Sequence, residues 1–147
     1  MPLPELHIIR LTESNRHAIT HLKDQMLAYN AEHLPERLLR SCSLNLLLRD
    51  EQHHIYGGVV GEVAWDALQV YVLWVQEEYR QKGYGQQLLE FAEKEALKEG
   101  CRLILLETTS FHAPEFYFKR GFQEAGRIAN FPENQTLYYL YKNISSS

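Results

Sequence analysis

The spacing of apolar positions changes from segment to segment along this chain, and each change marks an element. Leu6 to Leu11 alternates and is β-branched enough for a first strand, and Thr12 to Asn15 then supplies side chains that start helices. From Arg16 to Tyr29 the set Ile19, Leu22, Met26, Leu27 and Tyr29 keeps helical spacing. Pro35 interrupts it before Leu38 and Leu39, which predicts two helices around a break. Leu44 to Leu48 and Ile55 to Trp65, separated by the polar cluster Asp50 to His53, read as a hairpin. Gly57, Gly58 and Gly61 inside its second strand point to a bulge or to something packed close against the backbone. Asp66 and Ala67 then turn the chain into a strand from Leu68 to Val75.

Beyond the polar loop Gln76 to Lys82, a helix is predicted from about Tyr84 to Glu99. Leu88, Leu89, Ala92, Ala96 and Leu97 face inward, Gly100 caps the end, and Glu90 and Lys94 mark an exposed face. Leu103 to Leu106 is continuously apolar, as a strand buried on both sides between parallel neighbours would be, so a strand, helix, strand crossover results. Pro114 fits the first turn of a short helix with Phe116, Tyr117 and Phe118 as its apolar members and Gly121 closing it. Phe122 to Ile128 and Thr136 to Tyr141 are the last two strands, joined by a loop containing Pro132. No repeat, linker or low-complexity segment is visible. Residues 1–147 therefore read as one domain, with a core at about 6–142 and an unordered tail at 143–147 that includes Ser145 to Ser147.

Composition narrows the function more by exclusion than by assertion. A formal net charge of −4 lacks the basic excess that neutralises phosphates, so nucleic acid is not an expected partner. A mildly acidic surface suits cationic substrates, although a charge of this size more often serves solubility alone. Cys42 and Cys101 form no CxxC and read as reduced, core-filling thiols. His17 and His21 lie four apart on a predicted helix but lack a third ligand at metal-site spacing, so no metal is expected. The start carries no basic region followed by an apolar run, and no stretch approaches the ~18 apolar residues of a membrane span. The expected setting is cytoplasmic, without a membrane partner, and the sequons at Asn134 and Asn143 read as chance matches. His53 and His54 belong to the solvated hairpin turn, while Trp65 and Trp74 flank a central strand, where large aromatics are more often core than cleft.

The most informative stretch runs from Leu73, Trp74 and Val75 through Arg80, Gln81, Lys82, Gly83, Tyr84, Gly85 and Gln86 to Leu89: a strand, a turn with paired glycines, then a helix. Free N–H groups and the dipole at a helix N-terminus make an anion site, and glycines let phosphate oxygens approach the backbone. A Walker loop requires GxxxxGK[ST], and a dinucleotide fingerprint requires a third glycine where this chain has Leu88; neither fits. By itself the glycine pair is equally well read as a tight strand-to-helix turn.

Arg80 to Gly85 resembles the R/Q-x-x-G-x-G/A signature of the GNAT N-acetyltransferase superfamily, and Ala113 to Phe122 resembles that family's A-x-x-F/L-Y-x-K-x-G-F segment. The two motifs stand in the right order within a matching series of elements, and the resemblance covers about Leu6 to Lys142. It implies a single-domain α/β (α+β) GNAT fold: a mixed sheet of about six or seven strands flanked by helices, with the fourth strand (Leu68 to Val75) splaying from the fifth (Leu103 to Leu106). It also implies an acyltransferase that uses acetyl-CoA as co-substrate, held in the splay.

By similarity, Leu73 and Val75 offer backbone groups to the pantetheine arm, with the Leu73 N–H near the thioester oxygen, and the amides of Gln81 to Gln86 hold the pyrophosphate. Arg80, Lys82, Ser110 and Lys119 join Trp74, Gly83, Tyr84 and Gly85 on the implied cofactor side, and Tyr117 matches the tyrosine that protonates the leaving thiolate. Glu77 stands where relatives often carry proline, Lys82 where a further glycine is common, and Ser110 where asparagine is frequent. Tyr71 lies where some relatives carry a carboxylate, so the general base is unassigned, with Glu62 and Glu107 as candidates. The favoured acceptor is the primary amine of a small molecule. A protein or peptide amine and a non-catalytic acetyl-CoA sensor are the alternatives, a scaffold without a CoA site a further one, and a homodimer stays open because dimerisation is common among relatives.

Overall fold

The protein is described here as a computed structural model covering residues 1–12 and 15–145. It comprises two compact units, Met1–Leu39 and Arg40–Ser147. In the first, helix α1 spans Arg16–Ala31, and the Asn15 carboxamide caps it by accepting the Ala18 N–H at 3.0 Å. Of the predicted helix-starting segment, Glu13 and Ser14 lie outside the described residues, as do Ser146 and Ser147 of the predicted tail. The strand expected at Leu6 to Leu11 does not form among the described residues, because alternation fixes a face whereas a strand exists only through a ladder partner. The expected second helix is a single 3₁₀ turn, Glu36–Leu38. Pro35 enters it in extended backbone and a strand begins at Ser41, which leaves no length for more.

The second unit holds strands β1 (Ser41–Arg49), β2 (Ile55–Ala64), β3 (Ala67–Val75), β4 (Leu103–Thr109), β5 (Gln123–Ala129) and β6 (Thr136–Asn143), with helices α2 (Tyr84–Lys98) and α3 (Glu115–Phe118). They form one mixed six-stranded sheet in the order β1-β2-β3-β4-β6-β5, in which only β3 and β4 run parallel, α2 being the crossover between them. Leu88, Leu89, Ala92 and Ala96 of α2 are buried and join Val59, Leu68, Ile104 and Leu140 in the core. Leu97, expected among them, is exposed: Leu88, Leu89, Ala92 and Ala96 share an arc of about 100° on the helix, and Leu97 lies about 80° beyond its edge. Gly100, at φ +85°, ends the helix, and the Cys101 N–H returns to the Ala96 carbonyl at 2.9 Å. Glu90 pairs with Gln86 at 2.9 Å and not with Lys94.

Cys101 fills the core as expected, and burial pushes its thiol up to about 11. Cys42 does not: it is exposed, since β1 turns a side chain into the core only from Leu44 onward. β4 is not buried on both faces throughout, for Ile104 and Leu106 are covered while Leu103 and Leu105 are half-buried, and its second neighbour, β6, is antiparallel. β6 continues past the predicted Tyr141 to Asn143; the next residue, Ile144, is buried and donates its N–H to the Arg102 carbonyl at 3.0 Å.

The hairpin turn between β1 and β2 is built on Asp50. Desolvation opposes its charge, yet hydrogen bonds from the His54 ring and amide and from the Tyr56 hydroxyl hold its carboxyl down at about 2. Gly58 is required by close approach, because an added Cβ would lie 2.3 Å from the Leu46 carbonyl oxygen.

Candidate active site

The site begins where a ladder stops. β3 and β4 are paired only from Ala67 with Leu103 to Val70 with Leu106; beyond that point β4 continues alongside β6 and β3 alongside β2. The register between β2 and β3 slips at the same place. Val70 faces Gly61 and Val72 faces Val60, so Tyr71 is an extra residue in β3. The bulge breaks the in-out alternation, leaving Tyr71 and Val72 both exposed in sequence. This opening is the splay expected between the fourth and fifth strands, when Leu6 to Leu11 is counted as the first.

Two clefts of about 650 and 670 Å³ flank the opening. Leu73, Trp74, His112 and Tyr117 line both. One cleft continues over Val75, Arg80, Gln81, Gly83, Gly85 and Gln86 to Arg120. The other is walled by Gln69, Tyr71, Glu107, Thr108 and Thr109. Their polarities differ: among the described residues the first carries the guanidinium groups of Arg80 and Arg120 and no carboxylate, whereas the second carries Glu107 and neither Lys nor Arg.

The glycine turn is shaped by two separate requirements. Gly83 caps α2 at φ +89° and Gln81 also sits at positive φ, a local curl that leaves the first amides of α2 without side-chain caps. Gly85 is closely packed, since an added Cβ would come within 3.3 Å of the Phe116 ring, which would have to give by a few tenths of an ångström. Arg80 ties the turn to the end of β3 by donating from Nε to the Val75 carbonyl at 2.7 Å.

Tyr117 stands at the junction of the clefts on α3, only 9% exposed, with Phe116 and Phe122 edge-on at ring distances of 5.1 and 5.5 Å. Burial pushes its phenol up to about 12.

Of the residues singled out in the sequence, Leu73, Trp74, Val75, Arg80, Gln81, Gly83, Gly85, Gln86 and Tyr117 come together on the cleft walls. Four stand off them. Lys82 lies 5.9 Å above the Tyr79 ring, and Tyr84 lines a separate groove with Leu46, Leu88 and Phe91. Ser110 is occupied elsewhere, donating to the Gln135 carboxamide oxygen at 2.6 Å and accepting the Thr136 N–H at 3.0 Å. Lys119 is exposed at the end of α3. Trp65 is exposed in the turn between β2 and β3, whereas Trp74 lies on the cleft and not in the core. Of the two candidate bases, Glu107 lines a cleft; Glu62 lines neither and faces the Tyr71 hydroxyl at 3.4 Å.

Arg120 and His112 line the clefts without having been singled out. Helical spacing holds the signal for Arg120, four residues after Phe116: its guanidinium stacks on that ring at 3.8 Å and donates to the Phe116 carbonyl at 2.7 Å. Among the described residues no group of three or more His, Cys, Asp and Glu side chains is placed to hold a metal, and no helix is long and apolar enough to cross a membrane.

Known proteins resemble this chain in sequence and in fold. Residues 44–124, more than half of the chain, match the family model of the acetyltransferase (GNAT) domain. The chain is 32% identical over 123 residues to acetyltransferase Atu2258 of Agrobacterium fabrum, covering 84% of this chain and 88% of that protein. It is 38% identical over 95 residues to the blasticidin-S acetyltransferase of Streptomyces morookaense, covering 64% of this chain and 70% of the relative. A crystal structure of an acetyltransferase from Bacillus cereus superposes with a TM-score of 0.81 at 34% identity, over 92% of this chain and 97% of that one.

Proposed function

The chain belongs to the GNAT acetyltransferases, and on that footing we propose that it transfers the acetyl group of acetyl-CoA to the primary amine of a small molecule. The observation that carries this reading is the meeting of two clefts of opposite polarity at Tyr117. The polyanionic CoA belongs on the side of Arg80, Arg120 and the α2 N-terminus, with its diphosphate on the amides of Gln81 to Gln86. A cationic amine belongs on the side of Glu107, Tyr71 and Trp74, and the similarity to a blasticidin-S acetyltransferase supports a small acceptor.

In the proposed reaction the neutral amine attacks the thioester carbon in a ternary complex. The C–N bond forms as the C–S bond breaks, and the Leu73 N–H stabilises the oxyanion. A phenol held near 12 stays protonated at every working pH, so Tyr117 can donate to the sulfur as charge develops there. The attacking nitrogen turns acidic once it is bonded to the acyl carbon, and its proton restores the phenol.

Thiol release from acetyl-CoA, followed across a panel of small amines that includes blasticidin S and across peptide amines, tests the reading. Turnover confined to small amines is expected. Turnover confined to peptides would move the acceptor to proteins, and silence across both panels alongside measurable acetyl-CoA binding would make the domain a sensor.

A further inference from the structure

We infer that His112 is the group that takes the proton from the acceptor ammonium, an inference that rests on the amine acetyltransfer proposed above. An alkylamine with a pKa near 10.4 reaches the site almost wholly protonated at neutral pH, and it cannot attack until one proton has gone. That proton must leave where the amine meets the thioester, which is where the two clefts join. Among the described residues only Leu73, Trp74, His112 and Tyr117 line both clefts, and of these only His112 and Tyr117 carry titratable side chains. Tyr117 is engaged as the proton donor to sulfur. Imidazole remains, the side chain that most often serves as a general base.

The backbone holds His112 there at some cost. The single turn Ser110–His112 is followed by Ala113 at φ +54°, a left-handed conformation that residues other than glycine seldom adopt, and this reversal delivers the chain into α3. Ser110 anchors the start of the turn to Gln135 and Thr136, and the His112 ring rests against Phe111 at 4.5 Å. The turn is therefore tied at one end and reversed at the other, with His112 on the walls of both clefts. The other charged and titratable groups on the walls of the two clefts are Glu107 from β4, Tyr71 from β3, Tyr117 and Arg120 from the α3 side, and Arg80 from the glycine turn.

The protons balance. The ammonium brings three: one passes to His112 and on to solvent, one crosses from the attacking nitrogen through Tyr117 to the CoA sulfur, and one stays on the amide. Glu107 lines only the acceptor cleft, where its carboxylate attracts and orients the ammonium.

The test is the pH dependence of kcat/KM for the fastest amine of the panel, measured on the wild type, His112→Gln and Glu107→Gln, with acetyl-CoA affinity measured by calorimetry on each. For His112→Gln the rate should fall about 10³-fold at pH 7, with acetyl-CoA affinity changed far less. The deficit should then shrink tenfold per pH unit and close as the pH reaches the amine's own pKa, because the variant can use only free amine. Glu107→Gln should lower kcat/KM by a factor that is constant with pH. A pH-independent deficit in His112→Gln, or none, would overturn the inference, and so would the sloping deficit appearing in Glu107→Gln instead. Those outcomes leave acetyltransfer standing, whereas a wild type that releases no thiol with any amine overturns both.

Discussion

The two halves of β3 lie in opposite surroundings. From Ala67 to Val70 the strand is laddered to β4, and Leu68 and Ile104, paired across that ladder, are both fully buried. From Tyr71 to Val75 the ladder to β4 is gone, and Tyr71 and Trp74 are 61% and 46% exposed. One extra residue at the bulge separates a buried core from an open cleft wall. The paired half fixes the direction in which the free half projects, and the free half offers backbone and side chains that a complete sheet would have consumed in its own ladder.

If the clefts walled by the free half are the catalytic ones, the largest effect should come from Tyr117→Phe on α3, which keeps the ring packing on Phe116 and Phe122 and removes the hydroxyl. Turnover should fall by about 10²–10⁴ with acetyl-CoA affinity retained. Unchanged steady-state rates would take Tyr117 out of the reaction. The complementary break is in the paired half. Ile104→Ala should cost about 2–5 kcal/mol of stability by leaving a cavity, seen as a lowered denaturation midpoint, while turnover per folded molecule at low temperature stays near that of the wild type.

A smaller effect is expected at the rim. Gly83→Ala places a Cβ at φ +89°, costing about 1–2 kcal/mol and raising KM for acetyl-CoA more than it lowers kcat. Equal acetyl-CoA titration curves for variant and wild type would separate the turn from the cofactor.

The smallest effect is the strand comparison read through pH. The folded pKa of Tyr117 is raised to about 12, above its ordinary value of 10.0, so its contribution to stability is complete below pH 10 and is lost as pH rises toward 12. Denaturation of the wild type against Tyr117→Phe should show a difference that is constant up to pH 10 and shifts by about 1 kcal/mol against the wild type near pH 11. A difference that stays level throughout would mean the phenol is not buried.

Legibility in the sequence followed the range of the forces involved. α2, the hairpin and the four-residue apolar run of β4 were readable because periodicity and turn residues act locally. The glycine turn and Tyr117 were readable through two motifs, each a short contiguous stretch. What escaped depends on neighbours distant in sequence. Leu6 to Leu11 has a strand's alternation without a ladder, and Cys42 has an apolar side chain on the part of β1 that does not face the core. His112 gave no signal of its own and Arg120 only its helical spacing from Phe116, because their place on the cleft walls follows from the positive φ at Ala113 and from stacking on Phe116. Ser110 and Lys119, carried over by motif position, stand away from the walls for the same reason: the motif fixes the order of residues, while hydrogen bonds to Gln135 and Thr136 decide where the Ser110 hydroxyl points.

The claim on which the rest depends is that the gap between β3 and β4 aims a thioester at Tyr117. A crystal structure of the chain with acetyl-CoA tests it most directly. The diphosphate is expected on the amides of Gln81 to Gln86, the pantetheine beside Leu73 to Val75, and the sulfur within hydrogen-bonding reach of the Tyr117 hydroxyl. A diphosphate bound elsewhere, or a hydroxyl turned away from sulfur, would contradict it.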